Sequence, residues 1–123
     1  MNAILIGTGR IISTIEITEP IYKCLQNAIG GYIEIVRPKG LNNSFCMIVD
    51  EEGLIKQKPI NEIGSVLYET QKHGQPIVGD VVIVKEIDTD EGRELNGLSE
   101  SEINEVLTII NRIYTRVILN AND

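Results

Sequence analysis

The stretch Gly79-Asp80-Val81-Val82-Ile83-Val84 pairs a turn-forming dipeptide with the most nearly continuous apolar run in the second half of the chain. A short β-branched run bounded by turn residues reads as a strand buried on both faces, so this segment is expected at the centre of a sheet. Upstream, Asn2 to Ile6 and Ile11 to Ile17 flank Gly7-Thr8-Gly9-Arg10 and read as two paired strands of a hairpin. Tyr32 to Val36 and Ser44 to Asp50 are strand-like as well, and the second places Phe45, Met47 and Val49 on one side. Leu54 to Lys58 reads as one more short strand before Pro59 interrupts it.

Helices fill the gaps. Thr18-Glu19-Pro20 supplies a Thr cap and a first-turn Pro ahead of Ile21, Leu25 and Ile29 at helical spacing, and Gly30-Gly31 ends that helix. Asn61 caps a second helix expected to run to about Thr70, and Lys72 to Pro76 is read as loop. After an acidic loop from Asp88 to Leu98, Ser99 and Glu102 form a capping box for a long last helix. Its stripe is Ile103, Val106, Leu107, Ile110, Ile113, Tyr114 and Val117, while Ser101, Glu105, Thr108, Arg112 and Arg116 lie on the other face. The expected architecture is one α+β domain over residues 1–123. In it a small antiparallel or mixed β-sheet is covered by helices, the C-terminal one long.

Composition narrows the function classes. A formal charge of −7 argues against general nucleic-acid binding, which calls for a basic face that displaces counterions. Cys24 and Cys46 do not make the dense framework of small secreted domains and are read as buried thiols. No run approaches the roughly 18 apolar residues that span a bilayer, and the opening Met-Asn-Ala-Ile-Leu-Ile-Gly lacks a basic region before a long apolar one. A cytoplasmic protein without a membrane partner is expected.

No catalytic or metal constellation assembles from these residues. Gly7-Thr8-Gly9 precedes a strand, whereas phosphate-binding glycine loops open a helix. Asp88, Asp90, Glu91 and Glu94 crowd oxygens together, but Gly92 and Ser99 stand where an EF-hand needs ligands. His73, the only histidine, sits in a turn and reads as a surface residue away from either cysteine. The expectation is therefore a binding domain, with no enzyme activity, no cofactor and no metal.

Arg112 and Arg116 are the strongest chemical signal. One helical turn apart, they project over one patch, where guanidinium groups can donate paired hydrogen bonds to phosphate oxygens. The competing reading is a solvated face eased by Glu105 and by cations favoured near a helix C-terminus.

The order of several motifs carries a resemblance over roughly residues 1 to 110. They are Ile21-Tyr22-Lys23-Cys24-Leu25-Gln26, Gly30-Gly31-Tyr32-Ile33-Glu34, Asp50-Glu51-Glu52-Gly53-Leu54, Pro59-Ile60-Asn61 and Ile77-Val78-Gly79-Asp80-Val81-Val82-Ile83-Val84. Together they resemble small domains of phages, prophages and plasmids, and among these the first type of Thoeris anti-defence protein, a cyclic-nucleotide sponge. The resemblance implies capture, without cleavage, of the cyclic ADP-ribose isomer made by a bacterial TIR immune enzyme. It also implies dimers that assemble into hexamers and, in some members, separate sites for cyclic oligonucleotides. By position it makes Arg112 and Arg116 the phosphate ligands and Asn96, in the preceding loop, the nearest match to a ligand-contacting asparagine; on the reading adopted here the Asp88 to Leu98 loop is expected to serve as a lid.

Such sponges tend to carry an aromatic after Gly79 that stacks on adenine, where this chain has Val81-Val82-Ile83-Val84. Either Tyr32, Tyr68 or Tyr114 replaces that ring or the ligand preference differs. A rival reading has the acidic segment Asp88 to Glu94 inhibiting a host protein by surface contact, in the manner of a nucleic-acid mimic.

Overall fold

The computed structural model describes residues 1–42 and 44–121, excepting the side chains of Gln71, His73 and residues 117–121. The expectation for the His73 side chain and the Val117 end of the last stripe lie outside the described residues. In chain order the elements are β1 (Asn2–Ile6), β2 (Ile12–Glu16), α1 (Ile21–Ile29), β3 (Ile33–Val36), β4 (Phe45–Asp50), α2 (Glu62–Leu67), α3 (Thr70–His73), β5 (Val81–Thr89), β6 (Gly92–Asn96) and α4 (Glu100–Ala121).

Val81, Val82, Ile83 and Val84 are fully buried, and β5 is the central strand. On one side Ile4 pairs with Ile83, and on the other Met47 does. The order is β2-β1-β5-β4-β3, with β6 paired to the outer half of β5, and every ladder is antiparallel.

Strand side chains alternate between faces, so each strand feeds two cores. Ile4, Ile6, Met47, Val49, Val81 and Ile83 pack with Ile63 and Leu67 of α2 and with Val106, Ile110 and Ile113 of α4. Ala3, Cys46, Ile48, Val82 and Val84 pack with Leu25 and Ile29 of α1. The sheet is thus sandwiched, with α2 and α4 on one face and α1 on the other.

Capping explains where two helices begin. The Ser99 amide donates to Glu102 Oε1 at 2.8 Å and the Glu102 amide to Ser99 Oγ at 3.2 Å, which satisfies two orphan N–H groups at the start of α4. Asn61 Oδ1 accepts from the Gly64 amide at 2.9 Å and starts α2 in the expected way.

Four local expectations are corrected. Leu54 to Lys58 is a run of turns rather than a strand, with Gln57 at φ 58°. Lys56 and Lys58 both bend back to Asp50 there, which leaves Ile55 80% exposed. Asp88 to Leu98 is largely β-hairpin, because Thr89 pairs with Gly92 across a two-residue turn and Thr89 Oγ1 donates to the Gly92 carbonyl at 2.8 Å. The left-handed φ of 110° at Gly92 suits a residue without Cβ. Thr18 does not cap α1, whose N-cap is Pro20 without a side-chain bond. Finally, α2 stops at Leu67, and Glu69 at φ 59° separates it from the single turn α3.

Candidate anion-binding site

The register of α4 is set by its buried stripe: Val106 and Ile110 are fully buried and Ile113 nearly so. Residues a turn apart share a face, so fixing Ile109 and Ile113 against the core places Arg112 and Arg116 on the flank of the helix. Both arginines are exposed and line one open depression of about 390 Å³. Its other lining residues are Gly40, Val66, Glu69, Ile109 and Ile113, from the loop after β3, from α2, from the link between α2 and α3, and from α4 itself. Thr108, Asn111 and Thr115 adjoin Arg112 in a shallower hollow around the helix.

Charge at this place is unbalanced. Among the described residues neither Arg112 nor Arg116 has an ion-pair partner or side-chain hydrogen bond. Glu69, the one acid lining the depression, turns its Oε1 toward Lys72 at 3.4 Å. Like charges four residues apart cost a helix about 0.2–0.5 kcal/mol. The helix dipole offers little relief, since its effect is confined to the last turn and α4 continues to Ala121. Glu105, seven residues before Arg112, makes no ion pair among the described residues. Both arginines are exposed, as a solvated face also has them.

Asn96 stands elsewhere. It closes β6 opposite Lys85, half-buried, and its Oδ1 accepts from the Gly97 amide at 2.7 Å. A rise of about 1.5 Å per residue puts Arg112 roughly 18 Å along α4 from Glu100, so one protomer does not bring Asn96 and the arginine pair together. None of the three candidate tyrosines lines the depression. Tyr68 and Tyr114 pack against the core, and Tyr32 is exposed beyond the end of α1. The hairpin Asp88 to Asn96, with Asp88 held by Arg93 at 3.2 Å, is a paired element of the sheet rather than a free lid.

Two polar clusters escaped the sequence reading. Asp50, its side chain 1% exposed, receives Lys58 Nζ at 2.6 Å, Lys56 Nζ at 2.8 Å and the Glu52 amide at 2.8 Å. The same ammonium groups reach the carbonyls of Ile29 and Gly30, which binds the end of α1 to β4. Burial pushes the Asp50 carboxyl up, but the bonds from Lys56, Lys58 and Glu52 outweigh it and hold the group at about 2. Glu86, also buried, takes Arg37 at 2.7 Å and Arg93 at 3.6 Å. The alternation of Lys56 and Lys58 behind an Asp-Glu-Glu-Gly turn was the available signal for the first cluster.

Both thiols are free. Cys46 is fully buried as expected and Cys24 only half-buried. Burial, with the Glu86 carboxylate adding to it, pushes the Cys46 thiol up to about 12, far from the range of a nucleophile. Among the described residues no three of His, Cys, Asp or Glu converge to hold a metal ion, and no helix is long and apolar enough to cross a membrane.

Residues 1–111 match the family described as a domain of unknown function, DUF3846, and the chain belongs to that family. No curated protein and no solved structure matches it.

Proposed function

We propose that this member of the DUF3846 family is a binding domain that captures a small anionic ligand of the cyclic-nucleotide class at the Arg112–Arg116 depression and holds it without cleaving it. The observation that carries the reading is the pair of exposed guanidiniums without a described partner on one depression of about 390 Å³. That volume falls within the range of small-molecule sites, and two guanidiniums a turn apart, with Cβ atoms about 5–6 Å apart, can each donate to phosphate oxygens of one ligand. An incoming phosphate supplies the counter-charge that the protein withholds. On this reading Asn96 would contribute only from a second protomer. The cytoplasm, in a phage-infected or lysogenic bacterium, is the compartment where such a signal would be met.

The test is a capture experiment. The protein is incubated with cyclic ADP-ribose isomers and with cyclic di- and trinucleotides, freed of unbound ligand, and then heat-denatured. Release of intact ligand is the expected result. A cleaved product would replace the reading with catalysis, and no retention of any of them would favour the host-protein partner. A hydrogen bond to a charged group is worth about 1.5–3 kcal/mol, so Arg112→Ala and Arg116→Ala should each weaken capture by about 10- to 100-fold.

A further inference from the structure

The depression that holds Arg112 and Arg116 is also lined by Glu69, which sets a carboxylate in a place read as an anion site. Its charge opposes that of any phosphate held by the arginines, so it weakens such binding unless it makes a contact of its own with the ligand.

The fold makes little use of the Glu69 side chain. Glu69 is the N-cap residue of α3, yet its side chain makes no capping hydrogen bond. Its described polar contact is with Lys72 Nζ at 3.4 Å, on a lysine whose side chain is 66% exposed. Exposed pairs of this kind contribute little to stability. Among the described residues Glu69 makes no ion pair with Arg112 or Arg116. Its backbone is left-handed, at φ 59° and ψ 46°. Glycine is the default residue for that conformation, and asparagine and aspartate are the usual exceptions. A long acidic side chain there costs the fold rather than helping it, and strained positions of this kind cluster at ligand clamps.

We infer that Glu69 is a specificity-determining residue of the arginine depression: it accepts hydrogen bonds from sugar hydroxyls that flank the ligand's phosphate, and so selects sugar phosphates over bare phosphate anions. This rests on the reading of the depression as a phosphate site. A carboxylate accepts hydrogen bonds and donates none, so the group facing it must carry donors. In a nucleotide the sugar is bonded directly to the phosphate and the base lies beyond it. Within one depression of about 390 Å³, the hydroxyls are therefore the donors nearest to a phosphate held by Arg112 and Arg116. Dinucleotide-binding folds use the same chemistry, with an acidic side chain on the ribose hydroxyl.

Equilibrium dialysis of the full chain tests the inference with cyclic ADP-ribose and cyclic di-AMP, each beside its deoxyribose counterpart, and with pyrophosphate as the bare anion. The parent ligand that the wild type retains should bind about 10-fold tighter than its deoxy form, the effect of one hydrogen bond to a charged group. Glu69→Asn suits the left-handed backbone while withdrawing the carboxylate, and should bring parent and deoxy forms to within about 2-fold of each other. It should also raise pyrophosphate affinity about 2- to 5-fold at low salt, because a like charge is removed. A Glu69→Asn variant that loses every probe alike would make Glu69 a merely structural residue and overturn the inference. Equal binding of parent and deoxy forms by the wild type would overturn it too, while leaving the ligand reading in place. Retention of neither parent would strike the ligand reading, and this inference with it.

Discussion

Asp50 and the Arg112–Arg116 pair are both charged, yet the fold treats them in opposite ways. The Asp50 carboxylate is enclosed, and two ammonium groups and one amide occupy its oxygens. The two guanidiniums stand exposed on a depression with no described partner. A buried charge left unpaired costs several kcal/mol, so the residues around Asp50 are committed to structure. Exposed arginines cost almost nothing to leave open, so their side chains are not committed to the fold. The contrast separates residues that hold this protein together from residues that the fold leaves exposed.

The comparison can be broken first in the core beneath the arginines. Ile110 is fully buried between α4 and the sheet, so Ile110→Ala should destabilise the fold by about 2–5 kcal/mol in chemical denaturation. A loss below 1 kcal/mol would mean that α4, and with it the arginine patch, is not docked as described. Next in size is Asn61, whose side chain accepts from Gly64 and donates to the carbonyls of Ile6 and Gly79. Asn61→Ala orphans all three groups and should cost about 2–3 kcal/mol by the same measurement.

Asp50 sharpens the contrast through pH. Its folded carboxyl is held at about 2, below the ordinary value near 3.8, so its contribution is complete above about pH 4 and is lost as pH falls toward 2. Thermal melts of wild type and Asp50→Asn should therefore differ most at neutral pH and converge at the acid end. Parallel curves across that range would remove Asp50 from the structural side of the comparison. The smallest expected effect is on the other side: Arg112→Ala and Arg116→Ala should change folding stability by no more than about 0.5 kcal/mol. A large loss in either would show that the arginines serve the fold.

Much of the architecture was legible because it rests on periodicity. The grouping of Phe45, Met47 and Val49 on one face and the three-and-four spacing from Ile103 to Ile113 depend only on neighbours in the chain, and both appear in the fold. The Ser99–Glu102 box and the Asn61 cap are local for the same reason. Leu54 to Lys58 misled because a short run ahead of Pro59 resembles a strand, whereas its lysines answer to Asp50, a distant partner that the run itself does not reveal. The acidic segment Asp88 to Leu98 misled because composition suggests solvent, whereas β5 offers a ladder to join.

By itself, then, the sequence determined an α+β domain with a central Val81–Val84 strand, a capped and amphipathic last helix, and two arginines a turn apart upon it. Those features follow from backbone geometry acting over a few residues. Only the tertiary structure decided that all strands run antiparallel, that Asn96 lies far from the arginines, that Asp50 takes both lysines, and that the β2 edge is left open. Each of these depends on which distant segments meet, and strand pairing and burial, acting across the whole chain, settle that.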